Sequence, residues 1–215
     1  VAGLTDEMTR ICRRDMDTPE ITHCRTVTML CFGEKPLFTV EFGAAAHAAG
    51  GQSVSGDALD QFCDTSGRAQ MLLCDGMGTG RAAAVDGQMG AKLTAQLLRA
   101  GFAAESAARL VNVALGLKGA EQEAGATLDL LTVDLYTGRA GLFKAGAAPS
   151  FLCRAGVVRT LDGASLPMGV LPTVTGRSTA LTLDVGDTVM MVSDGALCDG
   201  SAWLCDQLTL STRLG

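Results

Sequence analysis

Aromatic residues are scarce: one Trp, one Tyr and seven Phe make up 4% of the 215 residues. Leu, Val, Ala and Met must therefore fill any core. Histidine is rarer still, with only His23 and His47. Neither has ligand spacing, so a zinc site is poorly supported. Both lie early in the chain and no Gly-x-Ser-x-Gly elbow accompanies them, which disfavours Ser-His-Asp hydrolysis. The eight cysteines form no CxxC pair. Cys31, Cys74 and Cys153 lie inside apolar runs, as reduced thiols of a cytosolic protein do. The 17 Lys and Arg form no cluster, and the net charge is −6. A nucleic-acid groove needs the opposite balance. No apolar stretch reaches the roughly 18 residues of a membrane span. Val1 to Arg14 mixes charge and polarity, unlike a signal peptide. The expectation is a cytoplasmic domain with no nucleic-acid or membrane contact of its own.

What is abundant is glycine, with 27 residues, in a chain that is 47% hydrophobic and 19% charged. That composition suits a globular domain with many turns, and the length allows one sizeable core or two small domains. Residues 1–24 are polar and read as a connecting segment, with a helix over Thr5–Arg14. Residues 25–215 read as one domain. Arg25–Phe32 and Leu37–His47 read as a hairpin turning at 33–36. A second hairpin pairs Asp57–Asp64 with Ala69–Cys74. Two helices follow. One carries an apolar stripe of Ala82, Val85, Met89, Leu93 and Leu97, and the other a stripe of Ala107, Leu110, Val111, Ala114 and Leu117. From Ala126 onward the pattern is paired strands: Thr127–Tyr136 with Arg139–Ala145, Ser150–Arg154 with Val157–Leu161, and Arg177–Leu183 with the strand ending at Asp194. A last helix starts near Ser201 and carries Trp203, Leu204 and Leu208. Strands, a helix pair and strands again imply an α+β fold: an antiparallel β-sandwich flanked by helices.

Two of these strands end in Asp-Gly. Gln70 to Cys74 runs into Asp75-Gly76, and Thr188 to Ser193 runs into Asp194-Gly195. A carboxylate at the end of a buried strand has a fixed direction in a partly dry place. With Asp57, these ends can gather three carboxylates, an arrangement tolerated when a divalent cation compensates the charge. Mg²⁺ and Mn²⁺ favour such oxygen donors. Gly76 lacks a Cβ, so its carbonyl is open to close approach as a further ligand. The plainer reading of each Asp-Gly is a turn. Asp129 and Asp134 read as solvent-facing or turn acids, Asp86 as lying on the wet face of its helix, and Asp199 as the cap of the last helix. Gly78-Thr79-Gly80 after a strand also approaches a dinucleotide fingerprint. However, the second helix, where a parallel strand is required, speaks against that.

Taken in order, Val54-Ser55-Gly56-Asp57, Cys74-Asp75-Gly76-Met77-Gly78-Thr79-Gly80, Ala126-Thr127-Leu128-Asp129-Leu130, Lys144 to Ser150, Ser165-Leu166-Pro167-Met168-Gly169 and Val192-Ser193-Asp194-Gly195 form a set. This set resembles the phosphatase domain of the stage II sporulation protein E family, within the PPM class of metal-dependent protein serine/threonine phosphatases. The resemblance runs from about Leu37 to Gly195. It implies a four-layer αββα fold and two Mn²⁺ or Mg²⁺ ions. Asp57, Asp75, the Gly76 carbonyl and Asp194 would be the metal environment, with Asp57, Asp75 and Asp194 as the catalytic acids. The implied activity is hydrolysis of phosphoserine by a metal-activated water. The implied substrate is a phosphorylated STAS-type anti-sigma-factor antagonist. Residues 81–118 would form a regulatory helix pair able to build a homodimer. The family carries a further metal-binding Asp beyond Ser-Asp-Gly, whereas here only Asp199 and Asp206 follow Asp194. The expectation is a C-terminally incomplete domain that is inactive or binds metal weakly, from a membrane-anchored parent. The alternative is a catalytically silent sensor or scaffold of the same fold.

Overall fold

A computed structural model of the chain describes residues 2–48, 54–118, 124–197 and 200–211. Its centre is a five-stranded antiparallel sheet in the order β3-β4-β5-β6-β9. These strands are β3 (Asp57–Cys63), β4 (Arg68–Asp75), β5 (Leu128–Asp134), β6 (Arg139–Ala145) and β9 (Arg177–Thr182). β5 is the middle strand, and its first four residues are all buried. Leu128 and Leu130 face one cluster, with α2 (Gly80–Arg99) and α3 (Ala104–Lys118). Leu131 and Val133 face the other, with Leu152, Leu161 and Met191. Alternation along one strand thus feeds two cores, which is why its sequence reads as a continuous apolar run.

The second sheet has the order β10-β7-β8, from β7 (Ser150–Arg154), β8 (Val157–Leu161) and β10 (Thr188–Met190). Its outer face carries Phe151 and Cys153, covered by Leu204 and Leu208 of α4 (Ala202–Ser211). The layers are therefore helix pair, five-stranded sheet, three-stranded sheet and helix: the αββα sandwich expected. A separate hairpin, β1 (Glu20–Cys24) with β2 (Val27–Cys31), is largely exposed, and α1 (Ala2–Cys12) buries no residue.

Several elements differ from expectation. The first hairpin turns at Arg25-Thr26, not at 33–36, because Arg25 adopts a φ of 51° that closes a two-residue turn. Residues 37–48 form no strand. Phe38 and Phe42 instead pack against the core between the sheets, and the Phe38 amide donates to the Leu135 carbonyl at 2.9 Å. β9 and β10 are not a hairpin: β9 pairs with β6 and β10 with β7, so the turn at Gly186-Asp187 crosses from one sheet to the other. β10 also stops at Met190, and Asp194 opens a 3₁₀ turn (Asp194–Leu197).

The helix stripes are displaced as well. α2 buries Ala83, Ala84, Asp86, Gly87, Gly90, Ala91, Thr94, Ala95 and Leu98, while Ala82 and Val85 are exposed. Small side chains let this helix lie close to the sheet. A Cβ on Gly90 would stand 3.3 Å from the Ala126 Cβ and 3.4 Å from the Cys74 Sγ. α3 buries Ala107, Ala108, Val111, Asn112 and Leu115, leaving Leu110 and Leu117 exposed.

Candidate functional site

Asp57 opens β3 and Asp75 closes β4, and the two are direct partners in the antiparallel register. Directly opposed residues put their Cβ atoms on one face about 5 Å apart, where like charges repel. Asp194 arrives from the other sheet. It is delivered by Ser193, whose hydroxyl donates to Asp57 Oδ2 at 2.9 Å across 136 residues of sequence. The main chain of Asp75 is fastened on both sides: its amide donates to Thr127 Oγ1 at 2.9 Å, and its carbonyl accepts from the Thr127 amide at 2.8 Å. Asp57 and Asp75 are half-buried, and Asp194 is exposed at the rim.

The electrostatic signature falls on Asp75. Its carboxyl is pushed up to about 6, first by burial, then by the charges of Asp57 and Asp194 and by hydrogen bonding to both. The three aspartates singled out in the sequence thus meet at one mouth. Among the described residues, no group of three or more His, Cys, Asp or Glu side chains is placed so that it could hold a metal ion by itself. The cluster is an open set of oxygen donors.

Glycine shapes this mouth. A Cβ on Gly56 would stand 3.1 Å from Asp75 Oδ1 and 3.4 Å from the Gly76 carbonyl oxygen, so its absence leaves a cradle where these two donors converge. A Cβ on Gly76 would stand 1.8 Å from the Ala83 carbonyl, and one on Gly87 would stand 2.1 Å from the Gly56 carbonyl. Backbone therefore packs on backbone where α2 crosses the two strand ends. Gly78 and Gly80, with φ of 88° and 74°, form the turn into α2. This is the work of the glycine cluster that resembled a dinucleotide loop. The donor set is hard oxygen in a carboxylate-rich cradle, which suits Mg²⁺ or Mn²⁺.

Two buried acids escaped the sequence reading. Asp129 is 1% exposed, not solvent-facing. Its Oδ2 accepts from Lys144 Nζ at 2.6 Å and from the Ser150 hydroxyl, and Lys144 Nζ also donates to Ser150 Oγ at 2.7 Å. Burial raises the Asp129 carboxyl, and Lys144 opposes that pull. The signal was available: Asp129 and Lys144 each sit within an apolar strand and are register partners across the β5–β6 turn. Asp86 is buried rather than wet. It pairs with Lys118 at the end of α3, and its Oδ2 accepts from the Gly125 amide at 3.3 Å. Asp134 does take the turn role expected of it, accepting from the Tyr136 and Thr137 amides. Asp206 is exposed on α4, and Asp199 lies outside the described residues.

Comparison with known proteins gives this arrangement a context. Residues 65–203 match the family described as Stage II sporulation protein E (SpoIIE). The chain is 30% identical over 173 residues to stage II sporulation protein E of Bacillus subtilis (strain 168), covering 80% of this chain and 21% of that protein. The counterpart from Priestia megaterium is 30% identical over 164 residues, 76% of this chain and 28% of that one. The chain thus spans roughly a fifth to a quarter of these relatives' length. Among solved structures, it superposes with a TM-score of 0.75 and 25% identity on the PP2C phosphatase domain and regulatory-domain fragment of SpoIIE from Bacillus subtilis, covering 97% of this chain and 65% of that one. On sequence and fold together, the chain belongs to the stage II sporulation protein E family and carries the fold of its PP2C phosphatase domain.

Proposed function

We propose that this chain is a metal-dependent protein serine phosphatase domain. Family membership and the PP2C fold support the reaction class. The observation that carries the reading is Asp75, held against Asp57 and Asp194 with its carboxyl pushed up to about 6. Three carboxylates kept together at such a cost are explained by a cation that uses them. Asp57, Asp75, Asp194 and the Gly76 carbonyl would hold Mn²⁺ or Mg²⁺, two ions in the complete site. Bound ions supply charge for the phosphoryl oxygens and a water acidic enough to attack phosphorus.

The chain's own residues set the geometry. Ser193 orients Asp57 by its hydrogen bond, and Thr127 fixes the backbone from which Asp75 projects. Gly56 keeps the approach to Asp75 and the Gly76 carbonyl free of side chain. The substrate is phosphoserine on a regulatory protein, a STAS-type anti-sigma-factor antagonist, whose dephosphorylation frees it to release a sigma factor. Residues 25–215 form the phosphatase domain and residues 1–24 a connecting segment. The domain is cytoplasmic and its parent membrane-anchored; among the described residues no helix is long and apolar enough to cross a membrane.

The test is hydrolysis of p-nitrophenyl phosphate and of a phosphorylated STAS protein by the complete phosphatase domain in Mn²⁺ buffer. Asp75→Asn is expected to abolish both while the circular dichroism spectrum is unchanged; full activity in that variant refutes the assignment. One observation favours a second reading, a silent sensor or scaffold of the same fold: among the described residues, no three His, Cys, Asp or Glu side chains are placed so that they could hold a metal ion by themselves. Calorimetric Mn²⁺ titration separates the two, since a scaffold binds no metal and turns nothing over.

A further inference from the structure

Behind the carboxylate mouth, between the two sheets, lies a cavity of about 40 Å³. Asp75, Thr127, Asp129, Ser193 and Asp194 contribute to its lining. Asp129 presents two different oxygens. Oδ2 is saturated by Lys144 and Ser150. Oδ1 is fully buried and, among the described residues, has no hydrogen-bond partner. A buried carboxylate oxygen left unpaired is costly, and such groups in native proteins are almost always satisfied by protein or by ordered water. The cavity has room for water, which needs roughly 10–15 Å³, and its wall offers the two to four polar partners that a buried water requires. That wall is rich in carboxylates, which accept. A water can donate one hydrogen to each of two acceptors, so it suits this space.

We propose that Asp129 is a positioning residue of the metal centre: its free Oδ1 holds a water in this cavity that donates onward to Asp75 or Asp194. The Asp129–Lys144–Ser150 cluster joins β5 and β6 of one sheet to β7 of the other. Asp57 and Asp75 belong to the first sheet, and Asp194 follows β10 of the second. The cluster fixes Asp129 in place, and the water held by its Oδ1, rather than the Ser150 link, ties Asp129 to the ligand set. Outer partners of this kind commonly change metal affinity by about 10–100-fold. The inference rests on the metal-dependent reading above.

Two measurements on the full chain test it. The first is a high-resolution crystal structure. An ordered water within hydrogen-bond distance of Asp129 Oδ1 and of Asp75 or Asp194 is expected. An empty cavity overturns the proposal, as does an anomalous Mn²⁺ signal at that position. The second is calorimetric Mn²⁺ affinity, compared at a temperature where each variant is fully folded. Asp129→Asn turns an acceptor toward the cavity into a donor, and about tenfold weaker binding or more is expected. If Lys144, left without its counter-charge, prevents folding, Asp129→Asn/Lys144→Met removes both charges and carries the same expectation. Ser150→Ala cuts the link between sheets but keeps Oδ1, and its Mn²⁺ affinity is expected to stay within about twofold, well short of the loss that outer partners cause. Unchanged affinity in the Asp129 variants, or equal loss in Ser150→Ala, overturns the assignment. If the unmodified chain binds no Mn²⁺, it is the phosphatase reading that fails, and the crystallographic water alone decides the bridge.

Discussion

Asp75 makes the metal-free protein sensitive to pH in a defined direction. Its folded value of about 6 lies above the usual carboxylate range near 4. Between those values the folded state holds the proton more tightly than the unfolded state. The contribution of Asp75 to stability is therefore greatest below about pH 4 and is lost as pH rises through about 6. Thermal melts in a chelator across that range are expected to show this fall, and Asp75→Asn is expected to flatten it. The same variant should melt higher than the parent at neutral pH while hydrolysing nothing, because the repulsion it removes is the repulsion that a cation would use. Gly76 gives a second prediction at this scale. Gly76→Ala places a Cβ 1.8 Å from the Ala83 carbonyl, an overlap with backbone that no rotamer change relieves. Urea unfolding is expected to show a loss of about 2 kcal/mol or more. The acids that sequence alone misplaced, Asp86 and Asp129, are those whose partners Lys118 and Lys144 stand 32 and 15 residues away. An acid within an apolar strand, such as Asp129, signals burial, whereas nothing local to α2 discloses the pairing of Asp86 with Lys118.

At the level of elements, the strands around the site were legible and the helix faces were only partly so. Alternating apolar runs closed by Gly turns set out β3 to β8 well. The 3.6-residue periodicity located α2 and α3, but only part of each stripe lies on the core: Met89, Leu93 and Leu97 pack against it and Ala107 and Val111 are buried, whereas Ala82, Val85, Leu110 and Leu117 are exposed. Hydrophobicity ranks Leu above Ala and Gly, whereas close packing against this sheet requires small residues. Leu93, Leu97, Leu110 and Ala114 line a groove of about 290 Å³ between the two helices, and Leu110, Val113 and Leu117 are exposed. Exposed apolar surface of this kind marks interaction sites, in keeping with the self-association that the family resemblance implies for residues 81–118. Sedimentation velocity is expected to show a concentration-dependent dimer that Leu110→Glu shifts to monomer. A single species unaffected by that change removes this part of the proposal.

For the molecule as a whole, the core does not depend on the metal site. The clusters on both faces of the five-stranded sheet, and the one under α4, consist of buried apolar side chains from many elements. Chelation is therefore expected to abolish hydrolysis without unfolding the chain. Saturating Mn²⁺ should raise the melting temperature, since a ligand at a hundred times its Kd adds about 2.7 kcal/mol to the state it binds. A chelator that unfolds the chain would make the metal structural. From its residues alone the chain determined the antiparallel sandwich flanked by helices, the aspartates at the ends of β3 and β4, and the glycines beside them, because period, turn chemistry and Cβ-free approach are local properties of sequence. Tertiary structure decided the rest. Crossing from β9 to β10 places Asp194 beside its partners, the β3–β4 register sets Asp57 against Asp75, and the fold buries Asp129 against Lys144. These are distances between separate segments, set by strand pairing within the five-stranded sheet and by the packing of the two sheets.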